Sequence, residues 1–298
     1  MKINPSFVDL QVNGHGGVDF LSVTSISEVR LAARSLFSNG VSAFLPTLIT
    51  SELSRLHNVA KLINEVMSNP QEGESEILGL HLEGPFISIE KCGVHPIRYI
   101  LPPEIATMKS LLKLGLVKMV TLAPEVPGAI NLIKFLVAEG VVVSLGHSNA
   151  SEDEAHKGFD AGAITVTHLF NAMSKIPGLA SAALERPEVC IQIIVDDVHV
   201  NRDNVMLALS KALDRFVITN DCVAAAGLGE GRFNFGDMTI QVKDGQARRL
   251  DGTLAGGTGN LQRSLEILDE LGIDRRDSYQ AVTSRPLKLL NGKFNRNA

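Results

Sequence analysis

The chain has 298 residues, with 28 Lys+Arg against 33 Asp+Glu, a formal charge of −5, and 45% hydrophobic and 20% charged residues. That balance belongs to a folded globular protein and offers no basic surface for nucleic acid. No apolar run reaches the roughly 18 residues of a membrane helix. The N-terminal MKINPSFVDLQVNG lacks the apolar stretch and cleavage site of a signal peptide. Three cysteines without CxxC spacing make neither a disulfide scaffold nor a zinc knuckle. A soluble cytoplasmic protein is expected.

In chain order, the first apolar, β-branched run is Phe7–Asn13. A helical pattern over Ser27–Ser38 stops at Asn39-Gly40, just before the run Val41–Thr47. Leu53–Met67 places Leu56, Val59, Ala60, Ile63 and Val66 at three- and four-residue spacing, and Ile77–Glu83 follows. Val117–Ala123 leads into a helix over Ile130–Ala138, then Val141–His147 and Ala163–His168. Ile191–His199 precedes the helix Asp203–Leu213, and Phe216–Asp221 closes the series. Each run is nearly continuous in hydrophobicity, as in parallel strands buried on both faces. Eight such runs alternating with helices, without internal repeats, predict an α/β fold of the (β/α)8 TIM-like barrel type as one domain over 1–298. A doubly wound open sheet is the alternative. The link PGLASAALERPEV has room only for a short helix. Beyond Asp221 the pattern predicts a hairpin over Asp237–Leu250 turning at Asp244-Gly245, then helices over Asn260–Leu271 and Asp277–Leu290.

Barrel enzymes place catalytic groups at the C-terminal ends of their strands. Those ends here carry Gln11 and Asn13, Thr47, Glu83, Glu125, His147, His168, His199 and Asp221. Glu83, His147 and His168 are far apart in sequence and can meet only through the fold. Two imidazoles and a carboxylate suit zinc or another divalent transition metal such as iron, manganese or cobalt. Three protein ligands leave a position open for water, which such a metal acidifies. Asp221, on the last strand end, is placed to take a proton and pass it to a leaving group. The set implies metal-assisted hydrolysis.

The motifs DLQVNGHGG, PTLIT, GLHLEGPF, TLAPE, VSLGHSNA, TVTHLFNAM and PGLA, in this order, resemble the N-acetylglucosamine-6-phosphate deacetylases of the amidohydrolase superfamily. The likeness runs from Phe7 to Leu290. It implies a distorted barrel, one divalent metal ion per chain, most directly zinc, and a homodimer. It also implies removal of acetate from an N-acetylated amino sugar, foremost N-acetylglucosamine 6-phosphate, to leave glucosamine 6-phosphate. On this resemblance Glu83, His147 and His168 hold the metal and Asp221 is the base and acid. His95 in GVHP polarises the acetamide carbonyl, while His199, Asn171 and Ala172 contact the substrate. Gln11 and Asn13 stand where two-metal relatives carry His-x-His, which points to the one-metal branch and leaves both at the substrate end. The GTLAGGTGN stretch matches a segment that lines the active site.

Departures accompany the likeness. The family's arginine before PGL, which grips the phosphate from a neighbouring subunit, is missing from NAMSKIPGLA, leaving Lys175 as the nearest cation and Arg98 and Arg232 as the next to consider. Asp197 stands where a glycine is common and adds negative charge. The small β-sandwich that flanks the family's barrel is expected to be lacking, with Asp237–Leu250 as its candidate remnant. His81 shares a strand face with Glu83 and is expected in the packed core, His15 in a surface or loop position, and His57 and His156 on helix surfaces. Cys222 has no activating histidine pattern. The alternatives are a non-catalytic sugar- or metal-binding paralogue and a deacylase of another N-acyl substrate.

Overall fold

The structure, a computed structural model, describes residues 6–292, so the first five residues of the stretch read against a signal peptide fall outside it. Eight strands pair in parallel in sequence order: β1 (Phe7–Val12), β2 (Val41–Ile49), β3 (Leu80–Glu83), β4 (Val117–Leu122), β5 (Val142–Leu145), β6 (Thr165–Val166), β7 (Cys190–Ile193) and β8 (Phe216–Ile218). Helices α1 (Ile26–Ser38), α2 (Leu53–Ser68), α3 (Ile105–Leu112), α4 (Ala129–Ala138), α5 (Glu152–Asp160), α6 (Leu179–Glu185) and α7 (Arg202–Ala212) supply the crossovers. The (β/α)8 barrel read from the apolar runs is the architecture found, and the open sheet is excluded by the seam described below. Among the described residues no helix is long and apolar enough to cross a membrane.

Two expected elements are divided. The run Ile77–Glu83 breaks at Gly79, whose φ of 141° and lack of Cβ let the chain pass close to Lys118. Glu76–Ile77 then pairs with the start of β2, whereas β3 pairs with its end. The helix expected over Asp277–Leu290 is two helices, α9 (Arg275–Ala281) and α10 (Ser284–Leu290), following α8 (Leu261–Glu270). Pro286 has no N–H to donate, and restarting at Ser284 places it in a first turn, where none is needed.

The barrel interior is layered. Leu10, Leu45 and Met119 belong to an apolar cluster that Leu289 of α10 joins. Two residues further along β2 and β4 the filling turns polar, at Thr47 and Thr121. His81 contacts the Thr47 hydroxyl at 3.3 Å, the Leu10 carbonyl at 3.2 Å and the Thr121 hydroxyl at 2.7 Å. Thr121 continues to Thr167, and Thr167 to Ser144. His81 is thus a satisfied core histidine, as expected over the supporting role beside Glu83 that the shared strand face allowed. Glu83 begins the next layer.

The seam between β8 and β1 is closed by side-chain and loop contacts in place of a full ladder. Asn13 and Gly14 donate backbone N–H groups to the Cys222 carbonyl at 2.8 and 3.1 Å. The fully buried Asp9 carboxylate accepts from the Gln11 N–H at 3.1 Å and the Thr219 hydroxyl at 2.8 Å, with the Asn220 N–H at 3.4 Å. After β8 comes a three-stranded antiparallel sheet, β9 (Gly231–Phe235), β10 (Met238–Lys243) and β11 (Gln246–Arg249). The hairpin expected over Asp237–Leu250 is its second half, and Asp244-Gly245 forms the turn with φ of 50° and 72°. Asp237 in the other turn bonds Arg55 of α2 and Arg98 beyond β3, each at 2.6 Å. The sheet is thereby held over the barrel mouth.

Burial holds Asp9 protonated to about pH 7, against an ordinary 3.8, although its hydrogen bonds from Thr219, Gln11 and Asn220 favour the anion. Between those pH values the folded chain retains a proton that the unfolded chain has lost. Stability contributed by this group therefore falls as pH rises through the window, by up to about 1.4 kcal/mol per unit. Urea unfolding of metal-free wild type and Asp9→Asn from pH 4 to 7.5 is expected to show that slope in the wild type and a flatter one in the variant. Parallel curves would contradict a buried proton on Asp9.

Candidate metal centre and active site

The fold brings Glu83, the last residue of β3, against two histidines that lie just beyond β5 and β6. Glu83 Oε1 is 3.0 Å from His168 Nε2 and 3.3 Å from His147 Nε2, and the two Nε2 atoms are 3.2 Å apart. Among the described residues this is the group of buried His and Glu side chains whose ligand atoms all lie within 4.8 Å of one another. Ligands about 2.0–2.1 Å from one tetrahedral ion lie about 3.3 Å apart, the spacing seen here. His147 Nδ1 donates to the Lys91 carbonyl at 2.9 Å, so its Nε2 keeps a lone pair. His168 Nδ1 is buried with no hydrogen bond to another of the described residues. Burial opposes ionisation of Glu83, but His147 and His168 outweigh it and hold the carboxyl well below its ordinary pKa of 4.5. An anionic carboxylate and two facing imidazole nitrogens at these distances form a cation-shaped donor set.

His147, His168 and Asp221 all have left-handed backbone, with φ of 49°, 33° and 50°. Such residues cost of order 1–3 kcal/mol each and collect at functional sites. The site opens into a cavity of about 320 Å³. Asn13 lines it and donates Nδ2–H to Asp221 Oδ1 at 2.7 Å. Burial, then the negative charge of Glu83, raises the Asp221 pKa to about 6. His95 stands with Nε2 3.8 Å from Glu83 Oε2, and its pKa is driven well below 6.5 by burial and by His147. His199 lines the same cavity, its Nδ1 2.7 Å from Asp196 Oδ2, as do Asn171 and Ala172. Leu254–Gly256 of the GTLAGG stretch form part of the wall, with Phe235 of β9.

Other expectations need correcting. Gln11 is fully buried and absent from the cavity wall, because the strand period sets it one layer below Asn13. There it donates Nε2–H to Glu83 Oε1 at 2.9 Å, so it supports the carboxylate instead of meeting substrate. Lys175 is exposed and outside the cavity wall, and its carbonyl accepts from the Ser181 N–H at 3.2 Å in the first turn of α6. Arg98 is engaged by Asp237, and Arg232 lies on a separate groove beside Gly17. Asp197 adds little free charge, for Arg202 grips it with two hydrogen bonds of 2.8 Å. Glu125 faces the loop after β5, accepting from Ser148 and Asn149. His15 is buried and bonded to Ser35, not exposed, and His57 and His156 are half-buried. Sequence reasoning missed Asp196, Thr50 and the Lys91 carbonyl. Only Asp196 had a local signal, three residues before His199.

With that geometry in place, the comparisons carry weight. No protein-family model matches the chain. The N-acetylglucosamine-6-phosphate deacetylase of Haemophilus influenzae is 36% identical over 276 residues, covering 89% of this chain and 70% of the relative. The crystal structure of the deacetylase of that name from Pasteurella multocida superposes with a TM-score of 0.91 at 33% identity, over 97% of this chain and 77% of the other. A Mycobacterium smegmatis variant in complex with N-acetyl-D-glucosamine-6-phosphate gives 0.90 at 31% identity, over 96% and 77%. This chain belongs to the N-acetylglucosamine-6-phosphate deacetylase family. Its motifs thus fall on a fold shared with these deacetylases.

Elemental analysis of purified wild type is expected to give about one divalent metal per chain, and His168→Ala to lose most of it. Full occupancy in the variant would overturn the ligand set. Two equivalents in the wild type would mean that Gln11 and Asn13 do not exclude a second ion.

Proposed function

We propose that this chain is a metal-dependent hydrolase that deacetylates N-acetylglucosamine 6-phosphate, yielding glucosamine 6-phosphate and acetate. The observation that carries the reading is the convergence of Glu83, His147 and His168 beside a raised-pKa Asp221 in one cavity. Bound to the three ligands, zinc or another divalent cation (iron, manganese or cobalt) supplies Lewis acidity toward the acetamide carbonyl and toward water. Asp221 takes a proton from the attacking water, whose oxygen joins the acetyl carbon. His95 donates to the carbonyl oxygen as that atom gains charge. The C–N bond then breaks, and Asp221 returns the proton to the departing amine nitrogen. Asn13 holds Asp221 by one oxygen and leaves the other for this transfer. His199, Asn171 and Ala172 line the part of the cavity assigned to the sugar phosphate. A binding-only paralogue has no use for a left-handed, buried Asp221. Assembly as a homodimer, a cytoplasmic location and a single domain over 1–298 belong to the same proposal, and light scattering tests the first.

Acetate release from N-acetylglucosamine 6-phosphate by metal-loaded protein is the direct assay. Asp221→Asn should keep the metal and lose at least about a hundredfold in kcat. Loss of metal together with activity would refute the proton-shuttling role. Asp221 must be ionised to act as base, so kcat/KM falls as pH drops through its pKa. A bound cation favours the anion, which places the acid limb at or below about pH 6. A limb centred above pH 7 would exclude Asp221 as the base.

A second reading, a substrate without phosphate, rests on the cavity wall, where Lys91 is the Lys or Arg residue present and Glu90 stands beside it. A cation that grips phosphate contributes about 1.5–3 kcal/mol, or at least tenfold in affinity. If Lys91 serves this end, the kcat/KM preference for phosphorylated over unphosphorylated substrate falls in Lys91→Ala and survives in Lys175→Ala. No preference in the wild type would favour the second reading. A fall in Lys175→Ala alone would show that the exposed loop reaches the phosphate after all.

A further inference from the structure

We infer that Thr50, one residue beyond β2, is a positioning residue that fixes His95 as the tautomer protonated on Nε2. The Thr50 backbone N–H, which can only donate, lies 3.3 Å from His95 Nδ1, and the Thr50 hydroxyl lies 2.8 Å from the same atom. The N–H contact is long and by itself only biases Nδ1 toward keeping its lone pair; the short contact from the hydroxyl, whose other acceptor, the Glu83 carbonyl, is 3.5 Å away, completes the selection against the other neutral tautomer. The ring hydrogen therefore sits on Nε2, the nitrogen 3.8 Å from Glu83 Oε2 at the cavity wall. Thr50 is itself buried, and its hydroxyl occupies space that only a glycine at the next strand end leaves free. A Cβ on Gly84 would stand 2.2 Å from Thr50 Oγ1.

The arrangement matters for the chemistry because the two nitrogens of imidazole offer opposite things. Protonated Nε2 offers a donor to a carbonyl oxygen that is gaining negative charge, whereas an unprotonated Nε2 would turn a lone pair on it. Thr50 thus acts through His95 and touches no substrate. This catalytic meaning rests on the deacetylase reading, but the tautomer itself does not.

Long-range ¹H–¹⁵N correlation spectra of the full chain labelled with ¹⁵N-histidine read the tautomer without substrate, with His95→Gln assigning the resonances. Wild type and Thr50→Ser are expected to show His95 protonated on Nε2, and Thr50→Val a mixture of tautomers. In acetate-release assays Thr50→Val should lose about tenfold in kcat with KM within about twofold, and Thr50→Ser should restore it. Protonation on Nδ1 in the wild type overturns the inference. So does a Thr50→Val protein with the wild-type tautomer, whatever its kcat. Should Thr50→Val fail to fold, the wild-type and Thr50→Ser spectra decide the question. If the chain releases no acetate, the function reading fails while the spectra still test Thr50.

Discussion

A single buried negative charge organises this molecule. Glu83 is almost wholly removed from water, and an isolated carboxylate there would be costly enough to neutralise or to unfold its surroundings. Gln11 from β1 and two imidazoles from beyond β5 and β6 surround it instead, at 2.9 to 3.3 Å. Those partners come from strands that are distant in sequence, so the charge is tolerable only once the barrel has closed. The same closure brings Asp221 from the last strand end next to Asn13 from the first. Folding and assembly of the site are therefore one event, with Asp9 at the seam serving both.

Most of the reactive side chains are held by a second group. His147 is aimed by the Lys91 carbonyl, His199 by Asp196, Asp221 by Asn13 and Glu83 by Gln11. Such outer contacts set the tautomer of a ligating or catalytic ring and narrow its motion, which is what a preorganised site requires. Beneath them the Thr47–His81–Thr121–Thr167–Ser144 chain occupies the barrel interior without leaving a charge unpaired. It forms a polar floor between the apolar plug and the charged mouth.

The barrel was legible because its strands are buried on both faces, and so write themselves as continuous apolar runs. Glu83, His147, His168 and Asp221 were legible for a related reason: each ends or closely follows such a run, and the fold sends strand ends to one mouth. What escaped were features set by close approach between segments. Gly79 cuts a strand because Lys118 of the neighbouring strand crowds it. The β9 strand hides in a Gly-rich stretch whose burial depends on the barrel surface that receives it. Thr50 meets His95 across 45 residues of sequence, and no periodicity announces such a contact. The exposed Lys175 shows the converse. Nearness in sequence to a motif suggests the phosphate for it, while the fold leaves it exposed and outside the wall.

The electrostatics of the mouth follow from these placements. Glu83 and Asp221 concentrate negative charge at the reacting end, where a divalent cation would balance it. Asp197, which from sequence threatened to add more, is neutralised by Arg202, with Arg263 3.8 Å away. Across the cavity the wall carries Asn171, Ala172 and His199 together with Lys91, without a guanidinium. Anion recognition by these residues draws on neutral dipoles and on Lys91, which lacks the bidentate fork of arginine. A point charge fixes an anion's distance more loosely than its orientation-specific counterpart does. The burden of holding the acetamide in register therefore shifts toward the reacting end, where Gln11 holds Glu83, Asn13 holds Asp221 and Thr50 holds His95.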